Sequence, residues 1–339
     1  MITMKKILFG LLVLFAPCAY GQDPVGVQST LKSVVEHAEV ASLYRNRVDW
    51  DTLKLNIHDL TKHAEYIADL KPALNYLLRS LGDEHGRMFY QNQLFASYYS
   101  GELKAHQQSF QPDIYNDIQM GNVYKFHAET LENNIGYVRI VGLPTGDNQK
   151  MAGAIQDKVC ALIEAGAENW IIDLRYNGGG NMHPMAEGLA LIIGNGAVGG
   201  TRGLTEAESS SWRVENDHFY YDGYSIELED HCQLPNKPKI AVLTSLYTAS
   251  SGEALAVIFK GKEKTRFFGQ KTLGMVTATD WTVIDDAIGL TISVSYYEDR
   301  NGNVYDEFVD VDVAMPFARE PLSDQDECVR EAIEWLNRE

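Results

Sequence analysis

Two adjacent hydroxyl side chains, those of Ser250 and Ser251, stand at the start of an apolar, helix-like stretch, TASSGEALA, at residues 248–256. The strand-like stretch KIAVLTS, at residues 239–245, comes just before it. A serine at the start of a helix after a buried strand can act as a nucleophile, because a neighbouring backbone N–H and the helix dipole favour developing negative charge. Serine and threonine are also ordinary N-cap residues, so the stretch by itself leaves a structural role open.

A second stretch, DLRYNGGGN at residues 173–181, ends a strongly apolar, strand-like run with three consecutive glycines, Gly178, Gly179 and Gly180. Glycine adopts backbone conformations closed to other residues and lets N–H groups approach a ligand closely. The stretch lacks the lysine of a phosphate-binding loop and the glycine spacing of a dinucleotide fingerprint. It therefore does not indicate a nucleotide site, and a plain strand-to-helix turn is the alternative.

In their order along the chain, four stretches resemble the C-terminal-processing, or tail-specific, serine peptidases and the related tricorn-type enzymes: IGYVRI, IIDLRYNGGG, TASSGE and GQKTLG. The segment from VDWD to LGDEH, at residues 48–85, also resembles the part that precedes the core in the tricorn-like branch. The resemblance covers about residues 45–315. It implies hydrolysis of peptide bonds on an α/β fold, in which a small N-terminal helical region precedes a mixed-sheet ClpP/crotonase-like core.

The resemblance also implies roles for individual residues. In this family the nucleophile lies three residues before the glutamate that enters the helix, which implies that Ser250 attacks the substrate. Ser251 would then supply one backbone N–H of the oxyanion hole, and Gly179 or Gly178 the other. Glu253 itself would stabilise the first turn of the helix.

The lysine base of the processing branch is absent from its expected place. That branch carries the lysine 25 residues after the nucleophile, and here this position is Met275. A methionine cannot accept a proton, so a Ser–Lys dyad at that site is excluded. Lys271 would miss the position by about 13 Å at the usual rise per residue of a strand.

The base is instead expected to be a histidine, the ordinary proton acceptor for serine near neutral pH. The tricorn-like branch places its general base in a segment such as SLGDEHGRMF, at residues 80–89, which implies that His85 is the base. His183, in GGGNMHP just beyond the glycine turn, is the alternative.

A serine–histidine pair usually has a third group that fixes the tautomer of the imidazole. The tricorn-like branch supplies an acid far downstream, and DEFVDVDVAMP aligns loosely with that segment. The resemblance therefore implies Glu307, with Asp306 and Asp310 as alternatives. In a chain with 47 acidic residues, a solvated hairpin would explain the same carboxylates.

Hydrophobic spacing indicates the elements that must hold these residues. Helical spacing over residues 25–79 predicts three helices, so residues 22–80 are interpreted as an N-terminal helical region. From residue 134 the order strand, helix, strand, glycine turn, helix predicts an α/β unit with a largely buried sheet. Residues 81–339 are interpreted as the peptidase core domain. The segment 86–134 is too short for the PDZ domain that processing proteases usually carry.

The N-terminus and the overall charge restrict location and partners. Residues 1–21 resemble a signal peptide, with two lysines, an apolar run at residues 7–16 and small residues before Gln22. They predict export to the periplasm or the medium, with no membrane span in the mature chain. Cys18 follows a proline, which fits a lipoprotein site poorly. The net charge of −18 argues against nucleic acid as a partner.

The cysteines do not form a metal-binding pattern. Cys160, Cys232 and Cys328 remain after signal-peptide cleavage, so at most one internal disulfide can form. No metal or organic cofactor is predicted. Cys160 falls at a core-like position of an amphipathic helix, where the role of a small buried apolar residue is expected.

The main hypothesis is an exported serine peptidase that acts on peptide or protein substrates through Ser250 and His85. The alternative is a non-catalytic module that binds peptides or lipids, since retinoid-binding modules use the same core without proteolysis. A serine esterase of the α/β-hydrolase type is not supported, because no Gly-x-Ser-x-Gly motif surrounds Ser250.

Overall fold

The structure, a computed structural model, describes residues 24–229 and 232–338 of the chain. The predicted signal peptide at residues 1–21 lies outside this part. The helices are, in chain order, α1 (Pro24–Ala41), α2 (Trp50–Thr61), α3 (Lys71–Leu81), α4 (Pro112–Met120), α5 (Asn148–Glu164), α6 (Met182–Gly188), α7 (Ala190–Ile193), α8 (Ser251–Phe259) and α9 (Glu327–Asn337).

The strands belong to two sheets. They are, in chain order, β1 (Arg87–Tyr90), β2 (Gln93–Ser97), β3 (His127–Leu131), β4 (Ile135–Arg139), β5 (Asn169–Asp173), β6 (Gly196–Arg202), β7 (Ser210–Glu215), β8 (His218–Tyr221), β9 (Ile240–Thr244), β10 (Thr265–Gly269), β11 (Thr277–Ile284), β12 (Ile288–Asp299), β13 (Val304–Tyr305) and β14 (Val313–Ala314). The mixed α/β class and the helical N-terminal region are thereby confirmed.

The N-terminal helices form where helical spacing predicts them. Asp49 caps α2 by accepting a hydrogen bond from the Thr52 N–H at 3.3 Å. Gly82 ends α3 in the left-handed conformation, with φ 70°, which costs glycine little. The apolar faces of the three helices pack in one hydrophobic core with residues of β1 and β12, among them Met88 and Leu290.

The first sheet holds β12 at its centre. Its strand order is β2-β1-β12-β6-β7-β8, and β11 and β13 also pair with β12. The pairings are antiparallel. The register of β11 against β12 shifts between Ala278, which pairs with Ser295, and Thr279, which pairs with Ser293, so the extra residue of this β-bulge, Val294, lies in β12. A bulge of this kind changes which side chains of the strand point inward.

The second sheet has the order β14-β10-β9-β5-β4-β3, with parallel pairings from β14 to β4 and an antiparallel β3. The residues of β9 are all buried, as a parallel sheet covered on both faces requires. One face packs against α5, α6 and α8. The other packs against α9, where Cys328 is a free buried thiol.

The carboxyl ends of the neighbouring parallel strands β5 and β9 bring the two glycine- and serine-containing stretches together. Asp173 pairs with Leu243 at the end of the register. Beyond it, the Ala249 N–H donates to the Asn177 carbonyl at 3.0 Å, and the Thr248 hydroxyl donates to the Leu174 carbonyl at 2.8 Å. Ligand sites of α/β sheets form at this edge.

Cys160 is buried in α5, as expected, and it also forms a disulfide with Cys232 across a sequence separation of 72, within the limit of one internal disulfide. The sulfur thus tethers the segment after β8 to α5 in addition to filling space. Among residues 24–229 and 232–338, no helix is both long and apolar enough to cross a membrane.

Candidate active site

Ser250 has a strained backbone at the junction of the β9 loop and α8. Its φ of 53° and ψ of −119° lie in a region that favours glycine, and such strain costs about 1–3 kcal/mol. The surrounding structure holds it there, because the Ser250 N–H donates to Oε2 of Glu253 at 2.8 Å. Non-glycine residues with this kind of strain cluster at functional sites.

His85 is the histidine that the structure brings to Ser250. Its Nε2 atom lies 2.9 Å from Oγ of Ser250. The loop that carries His85, between α3 and β1, is held by Asp83, whose Oδ1 accepts the N–H groups of His85 at 3.2 Å and Gly86 at 2.9 Å. The alternative, His183, packs against the rings of Tyr221 and Tyr224 instead.

The other ring nitrogen of His85 faces hydroxyl groups. Nδ1 lies 2.9 Å from Oγ1 of Thr277, which lies 2.9 Å from Oγ of Ser293. The Ser293 hydroxyl donates to Oδ1 of Asp83 at 2.8 Å, and the Ser293 N–H donates to Oδ2 at 2.8 Å. Asp83, Thr277 and Ser293 are buried.

This arrangement differs from the expected contact between Glu307 and the imidazole. Glu307 is exposed, as are the alternatives Asp306 and Asp310. The backbone of Glu307 runs beside Gly274, on which a Cβ atom would lie 2.5 Å from the Glu307 carbonyl oxygen. The position at Nδ1 is taken by Thr277, a residue that the sequence motifs do not single out.

The imidazole is neutral at neutral pH. Burial lowers the pKa of His85 to about 4; the nearby Asp83 carboxylate acts in the opposite direction, whereas Arg87 lowers it further. A neutral imidazole has one free lone pair, which is what a proton acceptor for a serine hydroxyl requires.

The glycine turn lies directly against Ser250. Gly179 has a φ of 108°, and a Cβ atom there would be 2.9 Å from Cβ of Ser250. Its N–H donates to Oδ1 of Asn177 at 3.1 Å, so this predicted oxyanion donor has a partner within the protein. The Gly178 carbonyl accepts from Gln119 at 3.0 Å.

The N–H of Ser251 is one of the first in α8, and such groups have no acceptor within their own helix. Its side chain is already used, because the Ser251 hydroxyl donates to the Gly180 carbonyl at 2.6 Å. This bond holds the start of α8 against the glycine turn. The geometry therefore suits a backbone role for Ser251 beside the hydroxyl of Ser250.

Glu253 ties the backbone of Ser250 to the segment that would carry the lysine of the processing branch. Its carboxylate is fully buried and accepts four hydrogen bonds, from Ser250 N, Thr272 Oγ1, Gly274 N and Met275 N, at 2.5–2.8 Å. Burial raises the pKa of Glu253 to about 7, against the opposing effect of these bonds. Met275 thus contributes its N–H here.

Tyr297 is a further neighbour that sequence reasoning does not identify. It is buried, and its ring lies 5.8 Å from that of Trp212. Burial raises the pKa of Tyr297, and a hydrogen bond with the Ser250 side chain acts in the opposite direction. Within the described ranges, no group of three or more His, Cys, Asp or Glu side chains is arranged to hold a metal ion.

Comparison with known proteins gives a family match and a relative that is similar over most of both chains. The sequence profile of Peptidase family S41 matches residues 134–315, more than half of the chain. The nisin-resistance protein of Lactococcus lactis subsp. lactis is 22% identical over 320 residues, which cover 92% of this chain and 88% of that protein.

Two solved structures share the fold. A lipoprotein from Streptococcus agalactiae superposes with a TM-score of 0.68 at 18% identity, over 91% of this chain and 96% of that chain. The photosystem II D1 C-terminal processing protease superposes with a TM-score of 0.53 at 14% identity, over 86% of this chain and 93% of that chain.

Proposed function

The chain belongs to peptidase family S41, and from that premise we propose that it hydrolyses peptide bonds with Ser250 as the nucleophile and His85 as the base. The observation that carries this proposal is the 2.9 Å contact between Nε2 of His85 and Oγ of Ser250. A nucleophile and a base within hydrogen-bond reach, with the base oriented on its far side, are the signature of nucleophilic catalysis.

In the proposed reaction, Nε2 of His85 takes the hydroxyl proton while Oγ of Ser250 bonds to the carbonyl carbon of the scissile peptide. The carbonyl oxygen becomes an oxyanion, which accepts hydrogen bonds from the N–H groups of Ser251 and Gly179. The N–H of Gly179 exchanges Oδ1 of Asn177 for the oxyanion in this step. His85 then gives its proton to the departing amine nitrogen, and an acyl-enzyme remains.

Water completes the cycle. His85 takes a proton from the water as its oxygen attacks the acyl carbon, and the bond to Oγ breaks as the proton returns to Ser250. The products are a peptide with a new carboxyl end and a peptide with a new amino end. Each step uses the same two side chains.

The substrates proposed are peptides or proteins met after export. The Cys160–Cys232 disulfide supports this location, because disulfides persist in oxidising compartments. The signal peptide predicted at residues 1–21 agrees with it. Nisin is a reasonable first substrate to assay, since the similarity to the nisin-resistance protein extends over most of both chains.

The proposal is tested by labelling the chain with a fluorophosphonate, which modifies activated serines. We expect stoichiometric modification of Ser250, loss of labelling and of peptide hydrolysis in Ser250→Ala and His85→Ala, and substantial activity in Ser251→Ala. Circular dichroism of each variant checks the fold. A folded protein that is not labelled at Ser250 would instead support the non-catalytic binding module.

A further inference from the structure

The carboxylate that orients the base is separated from it by two hydroxyl groups. We propose that Asp83 is the positioning residue of His85 and that it acts through Ser293 and Thr277. Asp83 thus has the role that the sequence analysis predicts for Glu307. This proposal rests on the proposed function for its catalytic meaning, although the orientation of the ring can be tested without any turnover.

The direction of the hydrogen bonds at Asp83 is fixed by its partners. Its oxygens accept from the backbone N–H groups of His85, Gly86 and Ser293, which can only donate. Oδ1 already receives two of these bonds, so it acts as an acceptor for the Ser293 hydroxyl as well. The hydroxyl proton of Ser293 therefore points to Asp83.

The direction of the Ser293–Asp83 hydrogen bond determines which group donates in each of the next two bonds, up to the imidazole ring. A hydroxyl has one proton and two lone pairs. Because the Ser293 proton is directed at Asp83, its oxygen accepts from Thr277 at 2.9 Å. Because the Thr277 proton is then used, its oxygen accepts from Nδ1–H of His85 at 2.9 Å. Nε2 is left with the lone pair that faces Ser250.

The positions of the two hydroxyls come from the first sheet. Thr277 is the first residue of β11 and is buried. The register shift places one extra residue, Val294, in β12, where the consecutive residues Ile292 and Ser293 are both buried, so this bulge turns the Ser293 side chain inward toward Thr277. β-Bulges commonly redirect a side chain next to an active site.

The phenol of Tyr44 also lies beside Ser293, and it does not change the direction of the hydrogen bonds between Asp83 and His85. Burial raises the pKa of Tyr44, the Asp83 charge raises it further, and a hydrogen bond with Ser293 acts in the opposite direction. Tyr44 therefore keeps its proton at neutral pH. The single hydroxyl proton of Ser293 is used in the contact with Asp83, so the neutral Tyr44 can only donate, to the second lone pair of the Ser293 oxygen.

The arrangement separates two tasks that one carboxylate performs in a Ser-His-Asp triad. Such a carboxylate selects the tautomer and also stabilises the imidazolium directly. Here Asp83 selects the tautomer through neutral hydroxyls, and its charge lies farther from the ring. We therefore infer that the network acts mainly on the orientation and tautomer of His85.

The test uses Thr277→Val, which keeps the shape of the side chain and removes its hydroxyl, with Thr277→Ser as the conservative variant. The readout is the ¹⁵N NMR spectrum of histidine-labelled protein, in which the two neutral tautomers differ; the His85 signals are assigned by comparison with His85→Gln. We expect Nδ1–H in the wild type and in Thr277→Ser, and loss of this preference in Thr277→Val and Ser293→Ala.

Kinetics provide the second readout. In Thr277→Val we expect kcat to fall by about 10- to 100-fold, since a positioned general base contributes roughly 10²–10⁴-fold, with KM little changed. Thr277→Ser should restore most of this loss. Thr279→Val, on the exposed side of the same strand, serves as the matched control.

The outcomes distinguish the two proposals. If Nδ1–H and kcat are both retained in Thr277→Val, or if the wild type carries Nε2–H, the network does not position His85 and the inference is overturned. If the tautomer follows the prediction but the wild type neither reacts with fluorophosphonate nor cleaves peptides, the network stands and the proposed function fails.

Discussion

Nε2 of His85 lies 2.9 Å from Oγ of Ser250, although the two residues are 165 positions apart in the chain. Each residue is held by a different hydrophobic core. The loop of His85 follows α3, which packs in the core of the N-terminal helices, whereas Ser250 begins α8, which packs on the parallel sheet. Strand β12 contributes Leu290 to the first core and Tyr297 to the second. The contact therefore depends on both cores being assembled.

The first prediction concerns pH. Only the neutral imidazole can accept the serine proton, and burial lowers the pKa of His85 from 6.5 to about 4. Asp83 opposes this shift and Arg87 adds to it. Titration of His85 alone would leave the rate of fluorophosphonate labelling unchanged from pH 7 down to pH 5 and lower it near pH 4, with circular dichroism checking the fold at each pH. Glu253, whose pKa burial raises to about 7, would add a separate change near pH 7 that is absent in Glu253→Gln. A fall centred near pH 6.5 that persists in Glu253→Gln would contradict the buried, neutral base.

The second prediction concerns Glu253→Gln. The amide keeps one acceptor oxygen, and its NH₂ group must face one of two pairs of donors: the N–H groups of Ser250 and Met275 at Oε2, or the Thr272 hydroxyl and the Gly274 N–H at Oε1. We expect the free energy of unfolding to drop by about 1–3 kcal/mol, the cost of leaving buried partners unsatisfied. We also expect kcat to fall, since either choice breaks the connection between the Ser250 backbone and the segment at residues 272–275.

Urea unfolding and peptide hydrolysis measure these two effects. The exposed Glu263→Gln is the control for the loss of one negative charge. Unchanged stability and kcat in Glu253→Gln would show that the four hydrogen bonds do not maintain the site.

The third prediction concerns Gly179→Ala. An alanine at a φ of 108° is strained, and its Cβ would lie 2.9 Å from Cβ of Ser250. We expect loss of most activity, because the added methyl group displaces Ser250 or the turn. Gly223→Ala is the matched comparison: its φ is 87°, and no atom lies within 4 Å of the added Cβ. Equal kcat/KM in the two variants would mean that the close contact between Gly179 and Ser250 does not affect catalysis.

The fourth prediction concerns the disulfide. Closing a loop with a sequence separation of 72 should stabilise the protein by roughly 4 kcal/mol in the chain-entropy description. We expect the double variant Cys160→Ser/Cys232→Ser to unfold at a lower urea concentration than the oxidised wild type, and the reduced wild type to behave like the variant. A wild type whose urea midpoint does not respond to a reductant would argue against this bond.

Some parts of the fold and the site follow from the sequence and others do not. The helices before residue 82 and the buried strands β5 and β9 have clear periodicity or continuous apolar runs, so local pattern predicts them. Strand β6 has no such pattern, because three of its seven residues are glycine and it is recognised by its pairing with β7 and β12. Propensity in strands depends on this context.

The same distinction applies to the site residues. Ser250 and His85 lie in motifs, and motif order is enough to suggest their meeting. Thr277 lies 2.9 Å from His85 beside a bulge of β12 that buries Ser293, and neither the bulge nor the pairing of the two strands leaves a mark in the residue types. Glu307 was expected on a loose alignment in an acidic chain, where a carboxylate at any one position carries little information.

The backbone conformation of Ser250 affects the thermal stability of the protein. At φ 53° and ψ −119° an alanine remains strained, whereas a glycine relaxes. We expect Ser250→Gly to melt at a higher temperature than Ser250→Ala, the reverse of the usual order for these two residues. The backbone conformation at this position favours glycine, whereas the proposed reaction needs the hydroxyl group of serine. Stability and activity therefore favour different residues at position 250.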